Sequence, residues 1–320
     1  MPVSIRELIY LNRSPCDLYT INKNIFDIHI KKKSQLGKDI LRDLVAKKTT
    51  TLYAKENDHK KIVETQQNLL RNSTRSISIG NPLENAKKQL NFLTLNMYYL
   101  YQNVTDNELL NLQIQSINIL SQFLLDNIHI HKPLFDEYQK QKHHHIFSQP
   151  LLSSLFLLGV LKQSHMYADK NIEQLFLTSY LKDIGMSAIP TDRYDKEELS
   201  EKEKKLLLKH ARISVEILIG RTPLKPNHLR IIEYHHAFSH LRTQINSEAK
   251  NVFEDDNEML LGFETLAISI TDIISAMISE RPYRNSTTLF QSLEFIKYII
   301  ADQFPKEFKL FVTFFKQFYS

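Results

Sequence analysis

Only six glycines occur in 320 residues, so few positions can take the left-handed backbone that tight turns between strands demand. The rest of the chain runs in long stretches rich in Leu, Ile, Lys, Glu and Gln, a composition that favours helices over glycine-punctuated sheets. A mainly α fold is therefore expected. With 42% hydrophobic residues the chain can bury sizeable cores, and its length, about twice a usual ~150-residue domain, allows two domains.

The first part of the chain departs from the helical pattern. Leu18–Ile21 and Phe26–Ile30 show β-type spacing, with Phe26, Ile28 and Ile30 on one face, whereas Leu36, Ile40, Leu41, Leu44 and Val45 follow helical spacing. Thr49–Ala54, TTTLYA, supplies a third strand. Residues 1–78 thus read as a small α+β N-terminal module, closed by the Ser-, Asn-, Gly- and Pro-containing stretch Asn72–Pro82. Residues 79–140 read as a helical connector of two long helices, with Leu93, Met97, Tyr98, Leu100 and Tyr101 on the first and Leu109, Leu112, Ile117, Leu120 and Leu124 on the second. Thr105 with Glu108 has capping-box spacing at the start of the second helix, which stops before Pro133. These two helices are a candidate homodimer surface. His129 and His131 are expected at the surface or an interface, since positions two apart point to different sides of a helix.

The lone Cys16 excludes an internal disulfide and a multi-cysteine zinc site and suits a reducing compartment, so a cytoplasmic location is expected. Met1–Pro15 has no basic segment leading into an apolar core and a small-residue cleavage site, which argues against a secretory signal. The most apolar run, Leu151–Leu161, contains Ser153 and Ser154 and falls well short of the ~20 residues of a membrane span, so no span is expected there but a buried helix. The net charge of +5 and the isoelectric point near 9.0 permit an anionic partner. The basic residues are interleaved with acids rather than gathered in a stripe, which argues against a nucleic-acid polymer.

Chemistry-bearing side chains fall in residues 141–320 in the order His145, Lys182-Asp183, His210, His235-His236 and Asp272. Within the run His143–His145 only His145 lies close to the inward stripe of Leu151, Leu155, Leu158 and Leu161, so His143 and His144 are expected to see water. His210 follows a helix opened by Ser200 with Glu203, and alone it reads as a packed or exposed residue. His235 and His236 cannot share one helical face. Asp272 sits inside the apolar helix Leu266–Met277, where burial is costly without something positive nearby.

Several phrases now line up: YLKDIGMSAIP at Tyr180–Pro190, the lone His210, His235-His236-Ala237, and Thr271-Asp272 followed by Arg281-Pro282-Tyr283-Arg284. In this order they resemble the HD-GYP domain, the bacterial class of HD phosphohydrolases that opens cyclic di-GMP. The resemblance implies an all-α helix stack over residues 141–320 around divalent ions such as Fe or Mn, where two metals together activate water and stabilise the leaving oxygen. It also implies ligand roles: Asp183 bridges the ions, His145, the dyad position and Asp272 complete one, and His210, His235 and His236 complete the other. The N-terminal module, with DLY at Asp17 and LY at Leu52, is similar to a small domain found ahead of HD-GYP domains.

Lys182 stands where that pattern has the dyad histidine. An ammonium has three donors and no lone pair, so it cannot ligate a cation at neutral pH. Either it lies between Asp183 and Asp272 and takes over the first metal's electrostatic role, or it turns outwards. At most one ion is expected, on Asp183, His210, His235 and His236, or none. Met186 replaces the lysine of HDIGK, Ala237 replaces a glutamate, and His240–Ile245 lacks the glycines of the GYP loop. Arg242, Arg281 and Arg284 are candidate contacts for a nucleotide's phosphates and guanines. The acidic run Glu254–Asn257 reads as a solvated loop. The expected function is that of a degenerate HD-GYP signalling protein that binds cyclic di-GMP or a protein partner with little or no hydrolysis. The alternative is a metal-dependent cyclic di-GMP phosphodiesterase with an altered site, whose catalytic positions would be Asp183 and Lys182; a scaffold that binds no nucleotide is third.

Overall fold

A computed structural model describes residues 1–23, 25–141, 143–195, 200–238, 262–281 and 284–319. The chain opens with four strands, β1 (Pro2–Ser4), β2 (Leu18–Asn22), β3 (Ile25–Ile30) and β4 (Thr51–Tyr53), in one antiparallel sheet of order β1-β4-β2-β3. Helix α1 (Lys38–Ala46) packs Leu41 and Leu44 into a core with Val3, Leu8, Leu18 and Leu52. β1 was not foreseen, because three residues beginning with a proline show no alternation; it forms by pairing Val3 with Leu52 on the edge of β4. Phe26, Ile28 and Ile30 do not share a face. Leu18 pairs with Ile30 but Tyr19 pairs with Ile28, so His29 is an extra residue, and this bulge reverses the alternation. Ile30 is 5% exposed, whereas Phe26 and Ile28 remain 58% and 52% exposed on the edge strand.

Helix α2 (Glu56–Arg75), also unforeseen, carries Ile62 into the sheet's core and Leu70 into a second, larger core. α3 (Pro82–Gln102) starts where Asn81 accepts a hydrogen bond from the Glu84 amide and Pro82 takes the first helical position. α4 (Asn107–Asp126) is capped one residue later than the Thr105 spacing predicts: the Asp106 carboxylate accepts from the amides of Glu108 and Leu109, and an anion suits the positive end of the helix. A further short helix, α5 (His131–Gln139), holds Pro133 in its first turn, where no amide partner is required. His131 is buried rather than at the surface, because its ring donates to the Leu124 carbonyl near the end of α4 at 2.8 Å. Leu93, Leu100, Ile117, Leu120 and Leu124 of α3 and α4 are fully buried against this chain's own helices.

The second core is built around α6 (His145–Ser164), followed by α7 (Asp169–Leu181), α8 (Glu201–Leu208), α9 (His210–Leu218), α10 (Pro226–Glu233), α11 (Phe263–Ile278), α12 (Leu289–Ile300) and α13 (Pro305–Phe318). α6 packs against both α7 and α11. It is long and apolar enough to cross a membrane, yet 78% of its most apolar window is buried within the protein. A Cβ on Gly159 would lie 2.3 Å from the Phe314 ring, so the bare glycine is what lets α13 seat on α6.

Candidate metal centre

The chain leaves α7 through Lys182 and Asp183 into a 3₁₀ turn, Ile184–Ala188. This turn lies so close to α9 that a Cβ on Gly185 would be 2.1 Å from the His210 carbonyl oxygen. The Gly185 amide instead donates to Ser214 Oγ at 2.8 Å, which fixes the approach of Asp183 to His210. α8, with its Ser200–Glu203 capping box, delivers the chain to His210 at the start of α9. His235 and His236 lie in the turn after α10, not in a helix, so the rule that adjacent helical residues diverge does not apply and their ring centroids are 3.9 Å apart. Ser269 of α11 donates to the His235 carbonyl, and Tyr101 of α3 donates to the Asp183 carbonyl at 2.9 Å.

Asp183, His210, His235 and His236 bring four ligand atoms within 4.8 Å of one another. Asp183 Oδ1 is 3.3 Å from His210 Nε2 and 3.2 Å from His235 Nε2. His210 Nε2 is in turn 3.4 Å from His235 Nε2 and 3.1 Å from His236 Nε2. On their outer sides His210 Nδ1 meets the Leu207 carbonyl and His235 Nδ1 meets the Ile232 carbonyl at 2.6 Å. A carbonyl only accepts, so in the neutral rings the Nδ1 atoms carry the protons and the Nε2 lone pairs face inwards. Lone pairs of two imidazoles and a carboxylate oxygen then converge, an arrangement that repels itself unless a cation lies among them. The spacings match the edges of a tetrahedral or octahedral shell with bonds of ~2.1 Å. The donor set therefore fits a divalent metal ion, and a mixed imidazole and carboxylate set is compatible with Fe, Mn or Zn alike. Burial, with His235 and His210 alongside, holds the His236 pKa well below its usual value, so this ring stays neutral.

The opposite side of Asp183 is filled by the chain itself. Lys182 is 0% exposed, and its Nζ touches Asp183 Oδ2 and lies 2.7 Å from Asp272 Oδ1. Burial works against the ammonium, but the attraction of Asp183 and Asp272 outweighs it and raises the Lys182 pKa. Burial likewise opposes ionisation of Asp183, yet the Lys182 ammonium, with His210 and His235 alongside, holds its carboxyl well below the usual range. Lys182 points inward, charged, between two carboxylates.

His145 is not among the four clustered residues. Its ring stacks on His144 at 4.7 Å and lines a neighbouring cleft of about 690 Å³. Burial, helped by Arg281 and His144, pushes its pKa down to about 3. Gln149, one turn further along α6, donates to Asp272 Oδ1 at 2.9 Å and accepts from Arg281. His143 is not solvated: it is hydrogen-bonded to Asn91 Oδ1 at 2.6 Å and to Arg6 at 3.1 Å. Arg284 donates to the Ala276 carbonyl at 2.6 Å, and its backbone pairs with that of Arg281. Arg242 and Glu254–Asn257 lie outside the described residues, as does the loop beyond Phe238 that departs from the GYP pattern. Arg6, Tyr101, Gln149 and Ser269 were missed from sequence, because each reaches the centre or its cleft from a separate element and no local pattern marks it.

No protein-family model and no curated protein matches the chain. Among solved structures it is similar to Bd1817, a HDG"Y"P protein from Bdellovibrio bacteriovorus, with a TM-score of 0.63 and 11% identity over 99% of both chains. The fold is that of an HD-GYP protein. The likeness takes in the sheet-bearing module as well as the helical body, since it spans nearly the whole of each chain. The mainly α expectation, with a small α+β module ahead of a helix stack, agrees with it.

Proposed function

We propose that this chain is a degenerate HD-GYP signalling protein that holds one divalent ion on Asp183, His210, His235 and His236 and binds a cyclic dinucleotide of the cyclic di-GMP class with little or no hydrolysis. One observation carries the reading: the Lys182 ammonium occupies the space between Asp183 and Asp272. An ammonium neutralises carboxylates as a metal does, but it offers no vacant orbital to bind and acidify a water. With its pKa raised, Lys182 stays protonated at neutral pH and serves as neither ligand nor base. A bound ion supplies Lewis-acid attraction for a phosphate oxygen on the histidine side. Asp183 anchors that side, and its ionised form is secured from the other side by Lys182. Met186, in the turn after Asp183, brings no second cation to the phosphate.

Elemental analysis of protein purified without chelator should give one ion per chain, and calorimetry should detect cyclic di-GMP binding. Chromatography should show no linear dinucleotide accumulating over many turnovers. Two tightly held ions, or rapid formation of linear product, would establish the phosphodiesterase reading instead. No ion and no nucleotide binding would favour a scaffold.

A further inference from the structure

We propose that the cleft beside the metal centre is an anion site for the phosphate of a phosphorylated small molecule, shared between the N-terminal module and the helical body and anchored by Arg6 and Arg281. This deepens the proposed function and rests on its reading of the ligand as phosphorylated. At about 690 Å³ the cleft lies within the range of small-molecule sites. Its wall combines Arg6 of the N-terminal module, the end of α5, the first turn of α6 and the segment that follows α11. Among the described lining residues the cations Arg6, Lys140 and Arg281 stand against the carboxylate of Glu280, Lys140 being itself paired with Glu137 at 2.9 Å, so the two arginines carry the cleft's positive charge.

The two guanidiniums are held in place from behind. Arg6 donates to the Gln141 carbonyl at 3.0 Å and contacts His143 Nδ1 at 3.1 Å. Arg281 donates to Gln149 Oε1, Gln149 donates to Asp272 Oδ1, and Asp272 is paired with Lys182. The lysine that replaces a metal thus also braces, through two side chains, an arginine in the cleft. A planar guanidinium matches phosphate oxygens two at a time, and groups already oriented lose little freedom on binding. Arg6 belongs to the sheet-bearing module and Arg281 to the helical body, so an anion held between them ties the two parts together.

Calorimetric titration of the full chain with inorganic pyrophosphate, before and after metal removal by a chelator, tests the assignment. Binding should survive chelation, weaken with added salt, and fall about tenfold or more in Arg6→Gln and in Arg281→Gln, the loss of one charge-assisted pair. Arg71→Gln, on the exposed face of α2, should bind as wild type. Metal content should be unchanged in all three variants, so failure of the cleft and failure of the one-ion reading give different results. Because Arg6→Gln also loses the bond to His143, its melting temperature is recorded beside that of Arg281→Gln, which does not touch that bond. The proposal is overturned by a wild-type protein that does not bind pyrophosphate, by equal binding in both arginine variants, or by binding that disappears with the metal, which would place the anion on the metal centre.

Discussion

The centre has two sides that share Asp183 and differ in the source of their positive charge. Through Oδ1 the carboxylate faces the imidazoles of His210 and His235; through Oδ2 it faces the ammonium of Lys182, which also reaches Asp272. On the imidazole side a cation has to come from solution, and on the lysine side the chain supplies it. Both solve the same electrostatic problem, since clustered acceptors in a low-dielectric interior are costly until compensated. They are not equivalent chemically. A metal ion can bind and polarise a water or a phosphate oxygen, whereas a fully buried ammonium compensates charge and does little else. The same charge can therefore be supplied at one site with different chemical capacities.

The largest effect is expected on the imidazole side. His236→Ala removes one of four donors and should lower metal affinity by a hundredfold or more, on the order of the largest losses that perturbing a metal site's supporting groups causes, and leave elemental analysis near zero. A variant that keeps a full ion would refute the four-ligand assignment. On the lysine side, Asp272→Ala strips Lys182 of one of its two carboxylates. Breaking a buried pair from one end costs about 3–5 kcal/mol, to be read as a lower urea midpoint; a change below about 1 kcal/mol would mean that Lys182 is not held by this pair.

Lys182→His exchanges one side for the other. The new imidazole beside Asp183 and Asp272 should raise metal content from one ion towards two, with a smaller gain in hydrolysis because Met186 brings no cation. Unchanged metal content in a variant whose circular dichroism is native would show that Lys182 does not stand in for a metal. The last effect is one of pH. Burial, with Arg6 beside it, holds His143 at about 3 in the folded chain against an ordinary value near 6.5. Between these values the unfolded chain binds more protons, so stability is complete above about pH 6.5 and falls as the pH drops towards 3. Each such histidine contributes a slope of up to about 1.4 kcal/mol per pH unit. Urea midpoints measured from pH 7 to pH 4 should show a shallower fall in His143→Phe.

What could be read along the chain was local or ordered. Helical spacing revealed α3, α4 and α6, the Ser200–Glu203 pair marked the start of α8, and the succession Asp183, His210, His235, His236 and Asp272 contains residues that the fold brings together, whereas His145 lies in the neighbouring cleft. Capping and periodicity involve residues within one or two turns of each other, so they leave a trace in sequence. The bulge at His29 escaped this reading because one inserted residue is visible only against its partner strand. The turn that aims both His235 and His236 inward, the placement of His145 in the cleft, and the burial of His131 and His143 also depended on partners supplied by other elements.

The sequence by itself determined that a lysine stands beside Asp183 and that its ammonium form cannot ligate a metal, because both follow from the residue's own chemistry. Only the tertiary structure decided what that charge does. α7 and α11 pack on α6 so that Asp183 and Asp272 meet across Lys182, and a buried ammonium takes the direction in which two carboxylates repay its desolvation.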